Sequence, residues 1–178
     1  PRQAGGGGNH AAFREIATQL LQGVMHAFLG RVFTGASGGG TQTMLIAGID
    51  DRIATAFPCV MVSTAMQGGC TCENAHYLRI NQGNIDIAAL TAPRPMLMVS
   101  AAGDWTRDTP RIEFPAIRSV YELLGAKDRV ATVQVIADHN YNRDSREAVY
   151  GWFGRWLLGR PDAAPVPERE FTAEQPAD

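Results

Sequence analysis

Over residues 11–29 the apolar positions Phe13, Ile16, Leu20, Leu21, Val24, Met25 and Phe28 recur at helical spacing, which predicts a helix with one apolar stripe. Beyond Gly30 the pattern changes to short, largely apolar runs over 31–34, 56–62, 95–100 and 130–136. They are rich in Val, Ile and Met, as strands covered on both faces are. Between them, 39–47, 85–90, 112–124 and 145–158 carry helix-compatible spacing. Strands alternating with helices predict an α/β fold with a mostly parallel sheet of about four strands flanked by helices.

Two stretches break this rhythm. Residues 63–84 hold Gly68-Gly69, Cys70-Thr71-Cys72 and Glu73-Asn74 with little periodicity, and read as a long loop leaving the carboxyl end of the second strand. Residues 160–178 are rich in Pro, Ala, Glu and Asp and read as a tail, disordered or loosely docked. With four consecutive glycines at 5–8, the start reads as a loop, so the chain divides into a lead-in over 1–30, one domain over 31–159 and the tail. No internal repeat is evident.

A chain of 178 residues can build one substantial core. The net charge of −2 and pI near 6.1 carry no electrostatic footprint for nucleic acid. Lys127 is the one lysine among the basic residues, a bias that GC-rich coding produces without any anion site. No apolar run approaches the roughly 18 residues of a membrane span, so no membrane partner is expected. The sequence opens on Pro1, so the translation start is expected upstream of it. Cys59, Cys70 and Cys72 make an odd set with no closed disulfide framework. Cys70, Cys72 and His76 lack the spacing and the fourth ligand of a structural metal site, and neither metal nor cofactor is expected.

The candidate chemistry begins at Gly35-Ala36-Ser37-Gly38-Gly39, where an apolar run feeds a Gly-x-Ser-x-Gly turn and helix-compatible sequence follows. That order matches a nucleophile elbow, a strained strand-to-helix turn that lifts a serine hydroxyl above the sheet. The glycines two before and two after Ser37 are expected to be required, because a side chain at either would strike the turn or its neighbours. In an open α/β sheet, residues just past the carboxyl ends of the strands converge on one edge. Asp104 follows the third strand and His139 the fourth, whereas His10, His26 and His76 follow none. The order Ser37, Asp104, His139 suits a triad in which Asp104 holds the imidazole and His139 takes the serine proton. Asp108, Glu113 and Asp138 are rivals for the acid, and Asp108 is the most serious. A phosphate-binding reading of the glycine turn lacks the required lysine.

The motifs also carry a resemblance. Gly35–Gln42, Met66-Gln67-Gly68-Gly69-Cys70-Thr71-Cys72-Glu73-Asn74, Ala92-Pro93-Arg94-Pro95, Gly103-Asp104-Trp105-Thr106 and His139-Asn140-Tyr141-Asn142 make residues 31–159 resemble the carboxyl-terminal half of an α/β-hydrolase fold. The resemblance is to bacterial acetyl xylan esterases, with relatives among glucuronoyl and other carbohydrate esterases. It implies ester hydrolysis through an acyl-enzyme on a small ester or acetylated saccharide, with Ser37, Asp104 and His139 catalytic. The backbone N–H of Gly38 is then one oxyanion donor, and Gln67, Glu73 and Trp105 line the substrate pocket. It also implies a secreted or periplasmic protein. Some glucuronoyl esterases carry a glutamate after the strand that follows the nucleophile helix; 59–65 holds no carboxylate, which favours Asp104.

Such proteins have further strands before the elbow and draw a second oxyanion donor from them, but residues 1–30 do not match. The expectation is a fragment or a half-sheet whose first strand is an open edge, available to a second copy in a homo-oligomer. An incomplete, weakly active or non-catalytic scaffold is therefore the alternative reading. A glucuronoyl esterase or a prolyl-oligopeptidase-like peptidase is the next.

Overall fold

The structure, a computed structural model, describes residues 31–65 and 80–172. Four strands, β1 (Arg31–Ala36), β2 (Ile53–Cys59), β3 (Met96–Ala101) and β4 (Val130–Val135), form one sheet in the order β1-β2-β3-β4. Every neighbouring pair is parallel. Four helices, α1 (Gly38–Ile49), α2 (Asn84–Ala89), α3 (Glu113–Leu123) and α4 (Arg143–Leu158), connect or follow them. This is the expected α/β alternation, with all strand carboxyl ends on one edge.

Alternation of side chains along each strand divides the core in two. Ala56, Met96 and Met98 pack with Met44 and Ala47 of α1, Ile87 of α2, and Ile117 and Tyr121 of α3. The opposite face carries Phe57, Cys59, Leu97, Val99 and Val135, covered by Ala148, Val149 and Trp152 of α4. All six residues of β3 are buried. Each large apolar side chain there contributes about 1.5–3 kcal/mol. Helix α3 shows why its span is helical: Glu113, Ile117 and Tyr121 recur every four residues on the buried side.

Element boundaries differ from the sequence expectation for identifiable reasons. The second apolar run continues to Val62, but the strand ends at Cys59 because Val60 takes a positive φ of 50° and turns the chain. Helix α4 begins two residues early because the Asn142 side chain accepts the Ser145 N–H at 3.1 Å. It stops at Gly159, which adopts φ 67°, a left-handed cap that glycine takes without strain.

Arg94 binds the amino-terminal edge together. Its guanidinium donates to the carbonyls of Asp50 at 2.8 Å and Ile53 at 3.1 Å, and to that of Ala47. Cationic donors at a helix carboxyl end satisfy orphan carbonyls and oppose the helix dipole. The Ala92-Pro93-Arg94-Pro95 motif thus sits at the sheet edge opposite Ser37.

Of the two readings of the tail, disordered or loosely docked, residues 160–172 take the docked one, strapped along α4. Glu168 receives two bonds from Arg146, at 2.6 and 2.7 Å, and one from the Tyr150 hydroxyl at 2.7 Å. Val166 N–H donates to the Glu147 carbonyl at 3.0 Å, and Glu168 N–H to the Glu147 carboxylate at 2.8 Å. At Gly151 a Cβ would stand 2.6 Å from the Ala163 carbonyl oxygen, so the strap needs that notch in the helix. Polar composition left disorder and loose docking both open, and the partners on α4 supply the docking.

Candidate active site

At the end of β1 the chain turns through Ser37, with φ 56° and ψ −127°, and α1 starts at the next residue. A non-glycine residue there stores about 1–3 kcal/mol of strain. Hydrogen bonds hold the turn: Ser37 N–H donates to the Cys59 carbonyl at 3.2 Å, and the Ser37 carbonyl accepts from Gly40 at 2.8 Å and Thr41 at 3.1 Å. A Cβ on Gly35 would lie 2.5 Å from the Gly39 carbonyl oxygen, so only glycine fits. On Gly39 it would meet nothing within 4 Å among the described residues, contrary to expectation. The second close approach falls instead at Gly40, whose Cβ would stand 2.6 Å from the Cys59 carbonyl oxygen. The reason is geometric: the first turn of α1 faces β2 through Gly40. As the first residue of α1, Gly38 has a backbone N–H with no intrahelical acceptor.

Asp104 follows β3, and its side chain is 3% exposed. One oxygen, Oδ1, accepts from the Thr106 N–H at 2.6 Å and the Thr106 hydroxyl at 2.5 Å. Thr106 Oγ1 in turn accepts from Ala101 N–H at 2.9 Å, anchoring the turn to β3. The other oxygen, Oδ2, stands 2.7 Å from His139 Nδ1. An ionised carboxylate can only accept, so Nδ1 carries the proton and Nε2 is left as a base. Thr106 escaped the sequence reading, although Asp-x-Thr is the signature of a side chain closing its own turn.

The turns after β3 and β4 meet because Ala102 N–H donates to the Val135 carbonyl and Gly103 N–H to the Ala137 carbonyl, both at 2.9 Å. A Cβ on Gly103 would lie 2.5 Å from Asp138 Oδ1, so glycine permits this close docking. Trp105 stacks on the imidazole with ring centroids 4.4 Å apart. Its indole N–H donates to the Val60 carbonyl at 3.2 Å and its own carbonyl accepts from Ser63 Oγ at 2.5 Å. The positive φ of Val60 therefore has a visible consequence, since it presents that carbonyl to Trp105.

The rival acids lie elsewhere. Asp108 pairs with Arg111 at 2.8 Å. Asp138 packs against Gly103. Glu113 is buried and accepts from the Thr64 N–H at 2.6 Å and hydroxyl at 2.8 Å. The structure thus brings Asp104, Trp105 and His139 together and puts Ser37 on the same edge of the sheet. It shows no hydrogen bond joining Ser37 to His139 among the described residues. Gln67, Glu73, Cys70, Cys72, His76, His10 and His26 lie outside the described residues.

Cys59 is buried beneath the turn. Burial pushes its thiol up to about 12, against hydrogen bonding from the Thr34 and Tyr141 hydroxyls, so it stays protonated and unreactive at neutral pH. Among the described residues, no group of three or more His, Cys, Asp or Glu side chains is arranged to hold a metal ion.

No family model matches the chain, and no curated protein sequence matches it. Solved structures do. The chain is similar to the methylesterase BT1017, with 34% identity and a TM-score of 0.66 over 81% of this chain and 35% of that one. A carbohydrate esterase family 15 glucuronoyl esterase from Caldicellulosiruptor kristjansonii matches with 17% identity and a TM-score of 0.59, over 80% of this chain and 47% of that one. The glucuronoyl esterase catalytic domain from Hypocrea jecorina matches with 18% identity and a TM-score of 0.54, over 79% and 48%. The chain therefore spans between a third and a half of the length of these structures. With its parallel sheet, crossover helices and serine turn, the chain has the fold of the α/β-hydrolases over its described residues, and within that fold it is similar to carbohydrate esterases.

Proposed function

We propose that this chain is the part of a serine carboxylic ester hydrolase that carries its nucleophile, base and acid, acting on esters of carbohydrates. The observation that carries the reading is the buried Asp104 carboxylate 2.7 Å from His139 Nδ1, on turns leaving the same sheet edge as a serine held at positive φ. In this reading Ser37 Oγ attacks the ester carbonyl while His139 Nε2 takes its proton. Asp104 holds the productive tautomer and stabilises the imidazolium, and the stacked Trp105 ring adds a cation–π contribution of about 0.5–2 kcal/mol. The N–H of Gly38 at the start of α1 meets the developing oxyanion. The imidazolium then protonates the leaving alcohol, and water repeats the sequence on the acyl-enzyme.

Two substrate classes fit this chemistry. Acetylated saccharides follow from the motif resemblance. Esters whose acyl group belongs to the sugar, a uronic acid, follow from the names of the similar structures, a methylesterase and glucuronoyl esterases. The likeness at 34% identity to a methylesterase supports the second. The test is to offer the purified chain methyl glucuronate and acetylated xylo-oligosaccharides, each beside Ser37→Ala. Methanol release exceeding acetate release, and lost in Ser37→Ala, is the expected result. Hydrolysis surviving Ser37→Ala overturns the reading. No turnover together with an unreactive Ser37 would instead favour the non-catalytic scaffold.

A further inference from the structure

β1 and β4 lie on opposite sides of the described sheet, three inter-strand spacings apart, roughly 14 Å. A histidine after β4 can serve a serine after β1 only if its loop runs back across the strand ends. Asp104 orients the ring but sits on the turn after β3, so it does not bring the loop to β1. The residue that does is Tyr141, whose hydroxyl lies 3.1 Å from Thr34 Oγ1, three residues before Ser37. Among the described residues this is the only hydrogen bond between residues 136–142 and β1. In the neighbouring strand β2, the Cys59 carbonyl accepts the Ser37 N–H at 3.2 Å.

The main chain of Tyr141 is held from the other side. Arg146 Nη1 donates to the Tyr141 carbonyl at 2.7 Å, while its remaining donors make the two-pronged bond to Glu168 of the strap. Burial raises the Tyr141 phenol above its ordinary value, which keeps the hydroxyl neutral and able to share a hydrogen bond with Thr34 in either direction.

We propose that Tyr141 is a positioning residue that latches the His139 loop to the nucleophile strand through Thr34, with Arg146 and the Glu168 strap bracing the latch from behind. The proposal rests on the ester-hydrolase reading and adds a residue to it. A misplacement of about 1 Å between reacting groups can cost on the order of 100-fold, so even a small drift of the loop is measurable.

The test measures the rate at which a fluorophosphonate labels Ser37 in the wild type, Tyr141→Phe, Thr34→Val and the double variant. Phenylalanine keeps the ring in its apolar seat and removes only the hydroxyl. Each single variant is expected to label about 5- to 10-fold more slowly, a loss of about 1–1.4 kcal/mol. The double variant should be no slower than the worse single, because both changes break one contact. The Nδ1 proton shared by His139 and Asp104 should persist in the NMR spectrum of all four, which a general loosening of the fold would not allow. Tyr141→Phe labelling at the wild-type rate, or a double variant slowed by the product of the single effects, overturns the latch. If wild-type Ser37 is not labelled at all, the ester-hydrolase reading is what fails. The latch is then judged from the His139 ring resonances: exchange broadening in Tyr141→Phe and Thr34→Val supports it, and unchanged lines overturn it.

Discussion

Replacing Asp104 with asparagine keeps shape and volume while changing one hydrogen-bonding atom. In the wild type, Oδ1 accepts from the Thr106 N–H at 2.6 Å and Thr106 hydroxyl at 2.5 Å, and Oδ2 faces His139 Nδ1 at 2.7 Å. A carboxamide has a single acceptor oxygen. The backbone N–H of Thr106 can only donate, so that oxygen is held on the Thr106 side and the NH₂ group turns toward the imidazole. An N–H donor cannot face the Nδ1 proton, so the ring shifts to the tautomer protonated on Nε2. Ser37 then has no base. Loss of tautomer control of this kind costs on the order of 10⁴-fold in kcat, about 5 kcal/mol of transition-state stabilisation. Folding stability should change by less than about 1 kcal/mol, because the Thr106 bonds survive. Two assays decide it: kcat on a chromogenic acetate, and the ¹⁵N shifts of the His139 ring. A kcat within tenfold of wild type alongside a switched tautomer refutes the reasoning.

Three further outcomes follow from the packing. Gly35→Ala should destabilise the fold by more than about 2 kcal/mol, since its Cβ meets the Gly39 main chain at 2.5–2.9 Å. Gly39→Ala, whose Cβ meets nothing within 4 Å among the described residues, should be neutral or stabilising by up to about 1 kcal/mol; urea unfolding distinguishes them, and equal losses would contradict the account. Arg94→Ala, which orphans carbonyls at the end of α1 and the start of β2, should cost about 2–4 kcal/mol in the same assay with Ser37 chemistry untouched in the folded fraction. For pH, hydrogen bonding from Arg146 lowers Glu168 from 4.5 to about 2. A depressed carboxylate stabilises the fold above its unfolded value and loses that contribution as pH falls through its folded value. The stability gap between wild type and Glu168→Gln, about 1–2 kcal/mol at pH 7 after solvent screening, should therefore close between about pH 4.5 and 2. A gap unchanged at pH 2 would show that the strap is not held by this charge.

Much of the architecture was legible because it depends on one-dimensional patterns. Runs such as Met96–Ala101 are apolar at every position but Ser100 because both faces of a central parallel strand are covered, and that can be counted along a chain. The order Ser37, Asp104, His139 could be placed on strand ends for the same reason. What escaped depends on contacts between distant residues. Nothing local distinguishes Gly39 from Gly40 until the Cys59 carbonyl is seen against the latter. Val60 reads as another strand residue, yet its φ of 50° ends β2. Trp105 reads as a pocket residue, and its stacking on His139 is visible only in three dimensions. The strap over 160–172 has the composition of a free tail, and its order comes from Arg146, Tyr150 and Glu147 on α4.

The central claim is that Ser37 is a nucleophile activated by the Asp104–His139 pair, and covalent labelling tests it most directly. Incubation with a fluorophosphonate followed by intact-mass and peptide mass spectrometry should show one adduct per chain on Ser37. The adduct should be absent from Ser37→Ala and form at least about 100-fold more slowly in His139→Ala. No adduct on the folded wild-type chain, or an adduct that forms at the same rate without His139, would contradict the account.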